Sequence, residues 1–444
     1  MGKIVSVCLI AALLSSIVPC HAGVHIPTAI KKSATICTIG ILLLGEYEVR
    51  VRDQYKNKVE DLRSKSTEKW NGFERLNHGK LNTFWVQEYI GVDLVRAELK
   101  NSNFPNVGVA SIENQIDLNQ IPADRLNRWS NFTSLSSANS NHATGVANLI
   151  VGENTGASEK ANMFVFHYGS LSSAVKVINV SAVYRFTDSK SFDAIRKIFQ
   201  LWTDKGRIFV FSAGNQSPVG IVKPFYQKFF PPPSNVEVRL PGIIVGSIDP
   251  EGERSKFSVL GDDVTIAVPA DLALQSRTSG LSFFDCSSAT APLVTGTLAD
   301  IISVLGELNL EEAKILLKRT SIKVHGTENI RGRNGFGMLN SYRAYKVALR
   351  LSTKNWQNLN AEERRLLLLD PSVYDFSDES AGLWKQSKIA FSNHDSLIGL
   401  DLLRKAFLLN PEEKKANELS DFYSSKNLIT NAKFYSRLAR LQPK

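Results

Sequence analysis

Cysteine is scarce in this chain, with four in 444 residues, and two of them, Cys8 and Cys20, fall within the first 22. That leaves Cys37 and Cys286, too few for a disulfide-stapled scaffold, and nothing in the sequence supports a bridge between them. No spacing of Cys, His or carboxylate residues follows a metal-ligand pattern. No basic run is interleaved with aromatics, which argues against a nucleic-acid groove. The 53 Lys+Arg against 43 Asp+Glu, a formal charge of +10, read instead as a solvated surface with weak attraction to anionic surfaces. ATICTIGILLL (residues 34–44) follows a lysine pair but is too short to span a bilayer. It reads as a strand or buried segment, an anchor being the lesser reading, and membrane association is not expected.

What is present begins with a leader. Lys3, the apolar residues 4–18 and the small-residue site Cys20-His21-Ala22 have the pattern of a secretory signal peptide cleaved after Ala22. Pro19 argues against lipidation at Cys20. The sequence therefore predicts export, to a periplasm or to the medium. Residues 46–80 are charged and helical in character, with Val59, Leu62 and Trp70 too thinly spread for a core of their own. The remaining length accommodates a large core and a satellite. After Thr353 strand character fades and helical periodicity runs to Lys444. The predicted organisation is a leader (1–22), a charged helical segment (23–81), a main domain (82–350) and a helical extension (351–444).

The most informative stretch is DCSSATAPLVTG (residues 285–296). It sets Ser288 at the head of a small-residue helix, with Pro292 tolerated in the first turn because those N–H groups lack intrahelical partners. Free N–H groups and the helix dipole there would face an oxyanion forming on a substrate. By itself the segment also fits an ordinary core helix with an N-cap serine. Three further segments separate the two readings. VGVASIEN (107–114) reads as a buried parallel strand ending on Glu113. NHATGVANLIVG (141–152) is an apolar helix opened by His142, and FVFSAGN (209–215) is a strand that turns at Gly214 and presents Asn215. Carboxylate, imidazole, amide and hydroxyl are the orienter, base, oxyanion donor and nucleophile of acyl transfer, and they occur in that order.

With these residues the chain resembles the subtilase family of serine peptidases, over residues 82–349. VINVS (177–181) is similar to the strand lining that family's substrate cleft, residues 242–270 are similar to the stretch before its serine loop, and GRNGFGMLNSYRAYKVAL (332–349) resembles its closing segment. The resemblance implies an α/β fold, a subtilisin-like parallel sheet flanked by helices, and a serine endopeptidase. Its catalytic residues would be Glu113, His142 and Ser288, with Asn215 in the oxyanion hole. A polypeptide substrate would lie extended beside residues 179–183 and 211–214, touching Val180, Ser181, Ala182, Ser212, Ala213 and Gly214. No organic cofactor is implied, and calcium, which subtilases carry in loops, has no locatable site.

The chain departs from the family at several positions. Glu113 stands where aspartate is usual, with Asp117 as the fallback orienter and a purely structural carboxylate as the alternative. Cys286-Ser287 replaces Gly-Thr, which adds bulk near the scissile bond and leaves a catalytic thiol conceivable. Ala143 and Gly145 replace a glycine and a second histidine, and Ala182, Val183 and Tyr184 thicken the pocket walls. These substitutions keep two rival classes open: a catalytically silent binding module, and a scaffold acting through its helical C-terminus. In the extension, residues 397–443 resemble a tetratricopeptide-like helix pair, with Ala406 and Ala439, and Asn410-Pro411 and Gln442-Pro443, at corresponding places. Packing on the catalytic domain is the favoured role there, with a protein partner as the other.

Overall fold

Strands buried on both faces pair in parallel inside an α/β fold. Three strands here meet that description along their whole length: β1 (Val107–Ser111), and the later Ile243–Ile248 and Ile266–Pro269. The computed structural model describes residues 84–112, 116–127, 141–164, 172–181, 189–215, 241–258, 264–271, 273–277, 280–284, 286–324 and 335–443. The leader, the charged segment before residue 84 and the run 34–44 therefore lie outside the described residues.

In chain order the domain contains α1 (Trp85–Ile90), α2 (Val92–Leu99), β1, β2 (Leu126–Asn127), α3 (Asn141–Val151), β3 (Ala161–Phe164), β4 (Val175–Val180) and α4 (Ser189–Asp204). There follow β5 (Ile208–Ser212), β6 (Ile243–Ile248), β7 (Ile266–Pro269), the antiparallel hairpin β8 (Leu274–Arg277) and β9 (Gly280–Phe283), then α5 (Thr290–Leu305), α6 (Leu310–Thr320) and α7 (Ser341–Ser352). Among the described residues the sheet has seven parallel strands in the order β2-β3-β1-β4-β5-β6-β7. Strand order reverses between β1 and β4, and the carboxyl ends of strands at such a point form the crevice where ligands bind in open α/β sheets.

Alternation along the strands feeds two cores. Val109, Val177, Val210 and Val245 face α3 and α5, while Ala110, Ile178, Phe209 and Phe211 face Ile198, Phe199 and Trp202 of α4. Every residue of α5 is buried. By length and composition the segment Ser287–Leu305 is apolar enough to cross a membrane, but it is wholly enclosed by the fold. Its small residues allow that depth: a Cβ at Gly296 would sit 2.7 Å from the Ala157 side chain. One turn further along, buried Asp300 accepts hydrogen bonds from Ser158 Oγ (2.6 Å), Lys160 N (3.0 Å) and Glu159 N (3.1 Å). The helix thereby pins the loop that enters β3.

Beyond α7 come α8 (Ala361–Leu369), α9 (Ser377–Ser392), α10 (Ser396–Leu409), α11 (Glu413–Ser425) and α12 (Ile429–Ala439). Short connections pair α9 with α10 and α11 with α12, and Ala406 and Ala439 are buried in the second helix of each pair. The hydrophobic core runs continuously from the sheet into these helices. The join is made by α1 and α2. Arg404 of α10, 3 % exposed, grips both oxygens of Asp93 at 2.8 Å and donates to Glu88 O at 2.9 Å. Tyr89 stacks on Phe434 of α12 with ring centroids 3.7 Å apart.

Two outcomes are expected. Asp93→Ala leaves the buried Arg404 guanidinium with only the longer, exposed ion pair to Asp401 at 3.4 Å and should lower the unfolding free energy by about 3 kcal/mol in urea titrations. Burial pushes the Asp300 carboxyl up to about 7, despite the opposing hydrogen bonds from Ser158 and the Lys160 N–H and the pull of Arg125. Between the unfolded value near 4 and about 7 the folded chain holds the proton that the unfolded chain has lost. Asp300 should therefore make stability fall as pH rises through that window, by at most ~4 kcal/mol, and level off above it. Denaturation midpoints of Asp300→Asn across pH 4–8 should lose that slope.

Candidate active site

The segment before α5 folds locally as a tight 3₁₀ turn, Ser287–Ala289, closed by the Ala289 N–H on Cys286 O at 3.0 Å. The α-helix proper starts at Thr290, two residues later than the small-residue pattern predicts. Thr290 Oγ1, 2.7 Å from Ser287 O and 3.0 Å from Val245 O, ties the turn to β6 and so delays the helical register. Ser288 is thus buried on the turn itself, its hydroxyl donating to Ser181 O at 3.2 Å.

Asn215 stands exposed just past β5, beyond Gly214 with φ 96°. The main-chain N–H of Ser287 donates to its Oδ1 at 2.9 Å. A backbone N–H can only donate, so that bond fixes the amide's flip and turns Nδ2 away as an available donor. Ser287, directly before Ser288, supplies this anchor through its backbone.

His142 is the second residue of α3, half-buried, and α3 packs against the serine turn. Its ring lies 5.4 Å from that of Phe284, the residue linking β9 to the serine loop. Phe284 also fills the space beside Gly145, where a Cβ would come within 2.6 Å of its ring. Gly145 therefore replaces the second histidine of the family pattern for a steric reason, and Phe284 is a wall of the site that no motif marks. Glu113 lies outside the described residues. The chain on either side is held in place: the Ile112 N–H donates to Asn179 O at 2.9 Å, and the Asp117 N–H donates to Thr144 Oγ1 at 2.8 Å, two residues from His142. The Asp117 carboxylate accepts from the Asn119 N–H at 3.1 Å, capping its own turn.

Within the cleft-lining set, Val180 pairs with Phe211 inside the sheet and its side chain belongs to the α4 core, which leaves only its main chain toward a cleft. Asn179 likewise pairs with Ser111 on one side and Val210 on the other, and Ala213 donates to Val245 O at 2.9 Å. A substrate cannot add a strand at Asn179 or Phe211, where both edges are taken, while Ser212 and Ala213 are paired on their β6 side. Ser181 and Gly214 follow these paired positions, and Ala182 lies outside the described residues. Behind them runs a buried polar chain: Asn179 Nδ2 donates to Ser111 Oγ (3.0 Å) and Ser181 Oγ (3.1 Å), and Ser181 Oγ meets Ser212 Oγ at 3.2 Å. Among the described residues no group of three or more His, Cys, Asp or Glu side chains could hold a metal ion.

Comparison with known proteins places this arrangement. The model of the peptidase S8 subtilase family matches residues 110–342. No curated protein matches the chain. Similar solved structures include MycP1 with its N-terminal propeptide removed, 19 % identical over 59 % of this chain and 96 % of that one with a TM-score of 0.43. The prenylagaramide maturation protease PagA is 19 % identical over 58 % and 98 %, TM-score 0.42. A lanthipeptide protease is 17 % identical over 61 % and 95 %, TM-score 0.46.

Cys286 has φ 139° and ψ 174°, a conformation open essentially to glycine alone. Holding a side chain there costs of order 1–3 kcal/mol, partly offset by the lower chain entropy of a non-glycine residue. Cys286→Gly should accordingly raise stability by about 1 kcal/mol, read as a higher denaturation midpoint.

Proposed function

The chain belongs to the subtilase family, and from that membership we propose that it is a serine endopeptidase acting through Ser288, His142, Glu113 and Asn215. The observation that carries the reading is the Ser287 N–H bond to Asn215 Oδ1, which orients a side-chain donor beside a buried serine at the head of α5. The hydroxyl of Ser288 leaves Ser181 O by rotation about one side-chain bond. It attacks the scissile carbonyl carbon while His142 takes its proton. The negative charge moves to the carbonyl oxygen, where Asn215 Nδ2 and the Ser288 N–H receive it. A donor of this kind lowers the barrier by about 3 kcal/mol.

His142 then protonates the departing amine, and water hydrolyses the acyl-enzyme by the same transfers in reverse. Glu113 holds the imidazole tautomer and balances the imidazolium. In the chain it stands two residues after the end of β1, and the residues that follow are tied to the first turn of α3 through Asp117 and Thr144. The Asn119 bond to Asp117 supports Glu113 over Asp117 in this role. Substrate is a polypeptide, extended along Ser181 and the residues after it, with Ser212 and Gly214 nearby. The leader at residues 1–22 supports export.

Labelling with a fluorophosphonate tests the reading. The folded protein should be modified at Ser288, identified by mass spectrometry, and Ser288→Ala should abolish the signal. Glu113→Gln should slow the reaction by orders of magnitude, and Glu113→Asp only mildly. A folded chain that fails to react would favour a silent binding module, with the bulk of Cys286 as its cause.

A further inference from the structure

The last helix of the chain grips a turn that supports the oxyanion donor. After β6 the chain reverses through residues 249–254. Asp249 Oδ1 accepts from the Glu251 and Glu253 N–H groups at 2.9 Å each, and the Asp249 N–H donates to Glu253 O at 2.7 Å. α12 holds this turn from outside. Arg437 Nη1 donates to Glu253 Oε1 at 3.0 Å and Glu251 O at 3.3 Å, and its Nη2 lies 3.5 Å from Glu251 Oε2. Gly252, with φ 83°, sits under the Phe434 ring, where an added Cβ would come within 3.2 Å of it. Tyr89, stacked on Phe434, donates its hydroxyl to Pro250 O at 3.3 Å.

From the turn, short hydrogen bonds lead to the site. Arg254 pairs with Ile248, and its guanidinium donates to Ser258 O. The Ser255 N–H donates to Ser247 O at 2.9 Å, the Ser247 N–H to Ser258 Oγ at 3.0 Å, and the Ser258 N–H to Ser255 O at 2.9 Å. Ser258 forms an antiparallel bridge with Asn215. Asn215 meets the serine turn through the Ser287 N–H. Ser247, Ser255 and Ser258 are all buried, so this stretch has little freedom to absorb a displacement at either end.

We infer that Arg437 of the helical extension is a positioning residue for Asn215, acting through the turn 249–254 and Ser258. The inference rests on the peptidase reading, in which Asn215 is an oxyanion donor. It gives the extension a role in the reaction without contact with substrate. A donor displaced by a fraction of an ångström loses much of its value at the transition state while leaving ground-state binding alone. Arg437 is 38 % exposed. A pair this open adds little to stability, and Arg437→Ala is expected to fold.

The test uses the full chain and a fluorophosphonate under saturating kinetics, which separates probe binding from the reaction. In that reaction the Ser288 Oγ–P bond forms, the P–F bond breaks, fluoride leaves and His142 takes the hydroxyl proton. The phosphoryl oxygen occupies the oxyanion position. Arg437→Ala should lower the maximal labelling rate about tenfold with an unchanged half-saturation concentration. Arg437→Lys should recover part of the loss. Lys388→Ala removes an ion pair with Glu418 elsewhere in the extension, 2.7 Å long, and should leave the rate unaltered. Wild-type rates in both Arg437 variants, or an equal loss in Lys388→Ala, would overturn the inference. A wild-type chain that is not labelled at all would overturn the peptidase reading itself and leave Arg437 nothing to position.

Discussion

The burial of α5 is the constraint on which the rest of the structure depends. A sixteen-residue helix with every residue enclosed must find apolar surface on all sides, and it does so against the sheet, α3 and α7. That requirement aims its first turn at the carboxyl ends of β4 and β5 and at the middle of β6. Ser288 meets Ser181 there, Thr290 meets Val245, and Ser287 meets Asn215. Further along, the same helix carries Asp300 into a pocket of one O–H and two N–H donors that hold the entry to β3. The chemistry at one end and the sheet order along its length therefore have a common cause.

The site is built with local conflicts that the surrounding packing overrides. Cys286 occupies backbone space suited to glycine, directly before a turn closed by three independent bonds. The polar chain from Ser111 through Asn179 and Ser181 to Ser212 sits among buried groups, yet each of its members finds a partner there. Satisfied networks of this kind rigidify their surroundings. They keep the strand ends in register where a substrate backbone would meet them.

Much of this was legible because motifs are local. Ser288, Asn215 and His142 each sit at a boundary between strand or helix and turn, and small residues, Gly214 and the proline in the first helical turn mark those boundaries. The helical extension was legible from apolar periodicity, which survives without knowledge of partners. Other features were not. Val180 looks like a cleft residue until the alternation of β4 assigns its side chain to the α4 core. Phe284 carries no motif, since its role arises from meeting Gly145 and His142 across more than a hundred residues. The delayed start of α5 depends on Val245, a neighbour from another strand.

The sequence by itself determined the order of the chemical groups, the parallel strands that carry them and the helical character of the extension, because each of these is set by residue type and spacing within a few turns of chain. Docking of the extension on the domain was the favoured reading of the sequence, but the tertiary structure alone decided which residues make the join. Arg404 and Asp93 are 311 residues apart, and Arg437 and the Glu253 carboxylate are 184 apart. No periodicity connects partners at such distances. Their pairing is settled only when the apolar faces of α1, α2 and the helical pairs have been buried together, which brings the charges within reach of one another.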